Sequence, residues 1–220
     1  MWRDALLVAG KDLRIELRSR VVLNQVGPFG VLVLVLFAFA LGPAPAPMLQ
    51  AAPGLFWVAV LFAGLLAVQR SFALESGDRG DGLRLAGLDP AGIFLGKAAA
   101  VVAELAVLEV LLGAGVVLFY GARLHSVGVV AAACLAGTLG VAATGILYGA
   151  LSSGLRVRET LLPFLLLPAV APILLAGTRA WQAAMSGGQP VWPWLVTLSV
   201  FAVVYLALGV LIFGPLQEST

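Results

Sequence analysis

Glu104, Glu109 and His125 are the side chains whose types could do chemistry in otherwise apolar surroundings. The two glutamates fall inside an apolar run over 91–119. A carboxylate at membrane depth is costly and marks a substrate path, a proton relay or a partner contact. A spacing of five sets the two about 140° apart on a helix, so they are not an acid–base pair on one face. Lys97 stands seven before Glu104, on the same face but two turns away. Each glutamate therefore has two readings: lining of a substrate path or polar cavity, or a cap on a neighbouring backbone or subunit contact. His125 is the only histidine and falls in a short turn. It could meet a metal or heme iron from the outer face, but a lone histidine lacks co-ligands. A solvated turn residue is the other reading. Cys134 is the only cysteine, which excludes an intramolecular disulfide and a cysteine zinc site; it reads as a small packing residue, and no metal site is expected.

No nucleotide-binding motif is present. A P-loop needs GxxxxGK followed by Ser or Thr, because its backbone cradles phosphates and the hydroxyl holds Mg²⁺. Here Gly96–Lys97 is followed by Ala98, and residue 91 is alanine. ATP would have to be bound by a separate subunit. The net charge of +2 is too small to argue for nucleic acid.

The elements that position these residues follow from composition. Hydrophobic residues make up 61% of the 220, charged ones only 11%, and the mean hydropathy is +1.07. Soluble domains carry about 25% charged residues, so the solvent here is lipid. Lipid forces all backbone hydrogen bonds inward, leaving helices or closed barrels. Long continuous apolar runs, rather than short alternating ones, select helices. The expected fold is all-α, with six transmembrane helices over 21–41, 51–68, 91–119, 127–151, 161–177 and 192–213. The fifth is short and carries Pro163, Pro168 and Pro172, so kinks or re-entry are expected there.

The domain organisation expected is an amphipathic interfacial helix over 1–20, followed by a six-span permease-like domain over 21–220. In the first segment Trp2, Leu6, Ala9, Leu13 and Leu17 share one helical face, with Arg3, Lys11, Arg14 and Arg18 largely elsewhere. Twenty residues is long for the leading part of a signal peptide, so the segment is read as retained. Every Lys and Arg other than Arg123 and Arg179 falls in the N-terminal segment, at 69–97, or at 152–160. Basic residues concentrate in cytoplasmic loops, which places both termini inside. Trp57, Trp181, Trp192 and Trp194 are expected at outer span ends as interfacial anchors.

The first inner loop, 70–90, exceeds what a connection needs. Glu75, Asp78, Arg79, Asp81 and Arg84 alternate in sign, Gly77, Gly80 and Gly82 interrupt helix, and Leu83, Leu85 and Leu88 supply an apolar edge. It reads as a short docking element or as a solvated turn at the headgroups. In the fourth span Gly140 lies in a stripe of small residues, and Gly145 and Gly149 form GxxxG. Such stripes serve close packing within the bundle or a homodimer interface.

Glu75–Gly77, Leu83–Leu85, Pro90 and Leu95–Lys97 together resemble the ABC-2 type of ABC transporter permease. The order and spacing of KDLRIELRSR at 11–20, APGLFWVAVLFAGLLAVQRSF at 52–72 and GLDPAGIFLGK at 87–97 resemble, more narrowly, the heme exporter B (cytochrome c maturation protein B, CcmB) family over nearly the whole chain. The resemblance implies an ABC-2 (type V exporter-like) permease fold in the bacterial cytoplasmic (inner) membrane. It implies a separate ATPase subunit (CcmA-like), a heme-handling membrane protein (CcmC-like) and, indirectly, a heme chaperone (CcmE-like). It implies that 70–90 holds a coupling helix, making Glu75, Asp78, Arg79, Gly80, Leu83, Arg84 and Leu85 candidates for the ATPase interface. Heme enters as the transported or handled ligand, and no catalytic motif transfers. An ABC-2 permease for another hydrophobic substrate, an intramembrane enzyme using Glu104 and Glu109, and a non-transporting scaffold remain alternatives.

Overall fold

The computed structural model describes residues 1–20, 22–41, 45–73, 87–122, 124–152, 158–187 and 190–218. Among them every regular element is helical: α1 (Trp2–Ser19), a π-helical turn (Val22–Val26), α2 (Gly27–Ala40), α3 (Pro45–Ala73), α4 (Pro90–Tyr120), α5 (Val127–Ser152), α6 (Arg158–Ser186) and α7 (Trp192–Glu218). The last five are long and apolar enough to cross a bilayer, at about 1.5 Å per residue. α1 and α2 form a bent pair, 49° apart, that makes a sixth when taken as one span.

The expected first span, 21–41, is helical from a π turn at Val22–Val26 through α2 to Ala40, and the 49° bend lies at its start, between Ser19 and Asn24. Pro28 sits in the first turn of α2, lacks the N–H that would bond to the carbonyl of Asn24, and crowds that carbonyl. The π turn over Val22–Val26 takes up the mismatch. α3 starts earlier than expected, because proline is tolerated in a first helical turn. It also runs on to Ala73, through residues expected in the loop.

α6 differs most from expectation. It is one helix of 29 residues, with Pro163, Pro168 and Pro172 inside it, and it passes Gly177 to reach Ser186. Hydropathy falls at Thr178, Arg179 and Gln182, but helix-forming Ala180, Ala183 and Ala184 are buried and carry the helix onward. Leu162, Leu166, Val170 and Ile173 are buried beside the prolines, so packing holds the segment.

α5 is the central helix and packs on α3, α4, α6 and α7. Small residues make this geometry achievable. A Cβ at Gly140 would lie 2.9 Å from the Ile173 side chain of α6. At Gly145 it would lie 2.6 Å from Val68 of α3, and at Gly149 it would strike the Phe72 ring. The Trp57 ring lies over both Gly137 of α5 and Gly177 of α6.

Trp57 and Trp181 are core residues, each 1% exposed, and not the interfacial anchors expected. Phe56 links them, 4.2 Å from the Trp181 ring and edge-on to Trp57 at 5.6 Å. The Gly137 and Gly177 gaps admit the indole into the bundle. Trp192, by contrast, is 69% exposed. α7 turns Val196, Val200, Val203 and Leu211 outward, as a lipid-facing helix does.

α1 packs on α4 through Ala5, Val8 and Asp12. This is not the Trp2–Leu6–Leu17 stripe, which stays exposed. α4 meets α1 with Gly92 and Gly96. A Cβ on Gly96 would sit 2.6 Å from the Ala5 carbonyl oxygen and 2.7 Å from Val8 Cβ; one on Gly92 would sit 2.8 Å from the Met1 carbonyl oxygen. Gly96→Val should therefore lower stability by about 1–3 kcal/mol, the range for overpacking. Gly10→Ala, where nothing lies within 4 Å, should be neutral or slightly stabilising. Thermal unfolding midpoints in detergent compare the two.

Candidate functional site

Both described ends of the 74–89 connection are held by a charge cluster. Its centre is Lys97, 1% exposed on the second turn of α4. Its Nζ donates to Ser71 Oγ at 3.0 Å and to the Ser71 carbonyl at 3.3 Å, near the end of α3. It lies 5.2 Å from the Phe72 ring centroid and 3.8 Å from Asp12 Oδ2 of α1. Asp12 is 8% exposed and also pairs with Lys11 at 3.2 Å. One turn further, Arg70 Nη1 donates to Glu16 Oε2, and Nη2 donates to Ser19 Oγ at 2.8 Å. Three helices thus meet through opposite charges buried together, where an unpaired charge would be prohibitive.

The far side of the connection is tied as well. Asp89 caps α4, its Oδ1 accepting from the Ala91 N–H at 3.1 Å. The Met1 amine lies 3.1 Å from Asp4 Oδ2 and 3.4 Å from Asp89 Oδ2. The hydrogen bond to Asp4 holds the amine above its ordinary pKa, and the same contact holds the Asp4 carboxyl below its own. α1 therefore touches the residues that leave the connection and those that enter it.

Glu104 joins this cluster. It lines a small cavity of about 20 Å³ with Asp12, Glu16, Arg70 and Ser71. That is room for one water, and Asp12 Oδ2 has no hydrogen-bond partner there. Glu109 is elsewhere, 8% exposed at the α4–α5 contact, where it accepts a short hydrogen bond from Thr138 Oγ1. His125 is exposed at the opposite end of the bundle. It lines a cavity of about 760 Å³ with Gln50, Arg179, Gln182 and Ser186, the Arg179 guanidinium donating to Gln182 at 3.2 Å. The three residues with candidate roles in a path thus occupy three separate surroundings.

Gly140, Gly145 and Gly149 face Ile173, Val68 and Phe72 of the same chain. Glu75, Asp78, Arg79, Gly80, Leu83, Arg84 and Leu85 lie outside the described residues. Sequence reading missed the Gly92–Gly96 seat for α1 and the Lys97–Asp12 pair. The first has a legible signal, two glycines four apart at a helix start. The second has only the oddity of a lysine inside an apolar run.

A helical bundle with five bilayer-length apolar helices, and a sixth in its bent pair, defines a polytopic membrane protein. Its sequence matches the CcmB protein family over residues 3–215, and the chain belongs to that family. It is 31% identical to heme exporter protein B of Paracoccus denitrificans (strain Pd 1222) over 210 residues, 93% of each chain.

The ion pair makes a sharp demand. Asp12→Asn alone should cost up to about 3–5 kcal/mol, because it takes the carboxylate from a buried ammonium, and Lys97→Met should cost less, because Lys11 still pairs with Asp12 at 3.2 Å. The Asp12→Asn/Lys97→Met double variant should recover most of that loss. Unfolding midpoints of the three variants in detergent check it, and strictly additive losses would refute the pairing.

Proposed function

We propose that the chain is the membrane-spanning permease subunit of an ABC transporter in cytochrome c maturation. The observation that carries this reading is membership of the CcmB family over nearly the full length, with a relative named as a heme exporter protein. ATP is hydrolysed by a separate CcmA-like subunit, consistent with a sequence that has no P-loop. That subunit docks on the 70–90 segment, using Glu75, Asp78, Arg79, Gly80, Leu83, Arg84 and Leu85. Support comes from the anchors: a segment whose two roots are tied to α1 passes displacement into α3 and α4 together.

The basic ends of the helices face the cytoplasm of a bacterial cell, and both termini lie there. The further partners are a CcmC-like heme-handling membrane protein and, indirectly, a CcmE-like heme chaperone. Of two couplings, heme export and release of heme-loaded chaperone, the second fits better. Bis-histidine ligation needs two ligands, and this chain has one histidine. His125 and Arg179, at the opposite-end cavity, are suited to contact a heme-bearing partner rather than to carry heme across.

A catalytic role for the glutamates is disfavoured by their separation. Glu104 sits in the charge cluster and Glu109 on Thr138.

Copurification from membranes tests the docking. Glu75→Lys or Arg84→Glu should reduce recovery of the ATPase subunit at least several-fold while the permease still inserts. Undiminished recovery in both would defeat the assignment. A Walker-lysine variant of the partner should stop cytochrome c assembly, whereas a passive scaffold would tolerate it. Glu104→Gln/Glu109→Gln should retain assembly, and its loss with an intact complex would favour an enzyme.

A further inference from the structure

α1 carries three faces, and the bundle uses only one. Ala5, Val8 and Asp12 turn inward to α4. The neighbouring face is apolar yet uncovered: Trp2 is 72% exposed, Leu6 76% and Leu17 70%. The third face carries Lys11, Arg14 and Arg18. Arg14 and Arg18 are exposed and make no ion pair or hydrogen bond among the described residues, unlike Lys11, Lys97 and Arg70. Where the apolar and basic faces meet, a groove of about 350 Å³ opens, lined by Leu6, Leu7, Gly10, Lys11, Arg14 and Arg18 among others. Gly10 forms its floor, with nothing within 4 Å of where a Cβ would stand.

The level of this groove in the membrane follows from α1's partners. Met1 to Ala5 lie against Gly92, Val8 lies against Gly96, and Asp12 lies near Lys97. Glu16 lies against Arg70, at the polar end of α3. The groove is thus level with the charged ends of the spanning helices, where hydrocarbon gives way to headgroups. An occupant must there present an anion to two arginines and an apolar chain to Leu6 and Leu7. Arginine suits phosphate, being always charged and able to donate a planar pair of N–H groups.

We propose that the groove on α1 is a binding site for an anionic phospholipid, its phosphate on Arg14 and Arg18 and its acyl chain along Leu6 and Leu7. A zwitterionic lipid offers the same phosphate but brings its own cation against the arginines, so it binds more weakly. Each basic residue near a headgroup layer contributes on the order of 1 kcal/mol toward anionic lipid. The two arginines together should give a preference of roughly ten- to thirtyfold. Because the same helix holds both roots of the 74–89 connection, this lipid would steady the element on which they depend.

Native mass spectrometry of the full chain, delipidated in mild detergent and titrated with phosphatidylglycerol or phosphatidylcholine, tests the site. Wild type should hold one phosphatidylglycerol with at least about tenfold preference. Arg14→Gln/Arg18→Gln should reduce that to the phosphatidylcholine level, and Arg14→Lys/Arg18→Lys should keep part of it. Gly10→Leu fills the groove without touching a charge or a packed surface, so it should lose the lipid at unchanged thermal stability. Leu6→Ser/Leu7→Ser should weaken phosphatidylglycerol several-fold. Equal retention of both lipids by wild type would overturn the proposal. So would full retention by Gly10→Leu. Displacement by millimolar inorganic phosphate, with Leu6→Ser/Leu7→Ser behaving as wild type, would reassign the groove to a soluble anion.

Discussion

A lysine at 1% exposure governs the architecture of the basic end. Among apolar helices Lys97 is surrounded by Asp12, Ser71 and the Phe72 ring. Those partners come from α1 and α3, while Lys97 belongs to α4. Desolvating the ammonium costs several kcal/mol, and no single helix could offset that. The requirement that all three helices meet fixes where α1 lies, although α1 is too polar to be a span itself. Gly92 and Gly96 then follow as a steric condition, since a side chain at either position would hold Asp12 away from Lys97.

The packing around α5 obeys a different constraint, the close approach of helices. α5 is the hub, and glycines stand where α3 and α6 cross it: Gly137 at Trp57, Gly140 at Ile173, Gly145 at Val68 and Gly149 at Phe72. In lipid there is little hydrophobic drive between helices, so tight van der Waals contact and polar links must hold them. Two of these links are buried. Thr138 donates to Glu109 between α5 and α4, and Tyr120 donates to the Leu34 carbonyl at 2.7 Å, tying α4 to α2.

The helices α4 and α5 were legible to within a residue, because charge or turn residues bound each apolar run sharply. Boundaries were misjudged where hydropathy and helix propensity part, as at Thr178–Gln182, or where proline opens a helix, as at Pro45. The π turn before α2 has a visible cause in Pro28, but hydropathy alone passes over it. Trp57 and Trp181 misled for another reason. For Trp57 the gaps at Gly137 and Gly177 offer the ring a place inside, and Trp181 packs on Phe56 beside it. Of the candidate site, the individual charges were visible, but their pairing was not. Asp12 and Lys97 lie 85 residues apart, and no local period connects them. The family resemblance fell on the segments that hold this cluster, 11–20, 52–72 and 87–97, and the family match spans them all.

These constraints make α1, the end of α3 and the start of α4 one body, and the proposed coupling relies on that body moving as a unit. The most direct measurement is a double electron–electron resonance distance across it. Leu6 on α1 and Val110 on α4 are both 76% exposed, and Cys134, the only native cysteine, can be replaced by alanine for labelling. With the ATPase partner bound, one narrow distance distribution, unchanged between nucleotide-free and ATP-trapped states, is the predicted result. A second distance that appears on ATP trapping would show α1 parting from α4, and would contradict the account.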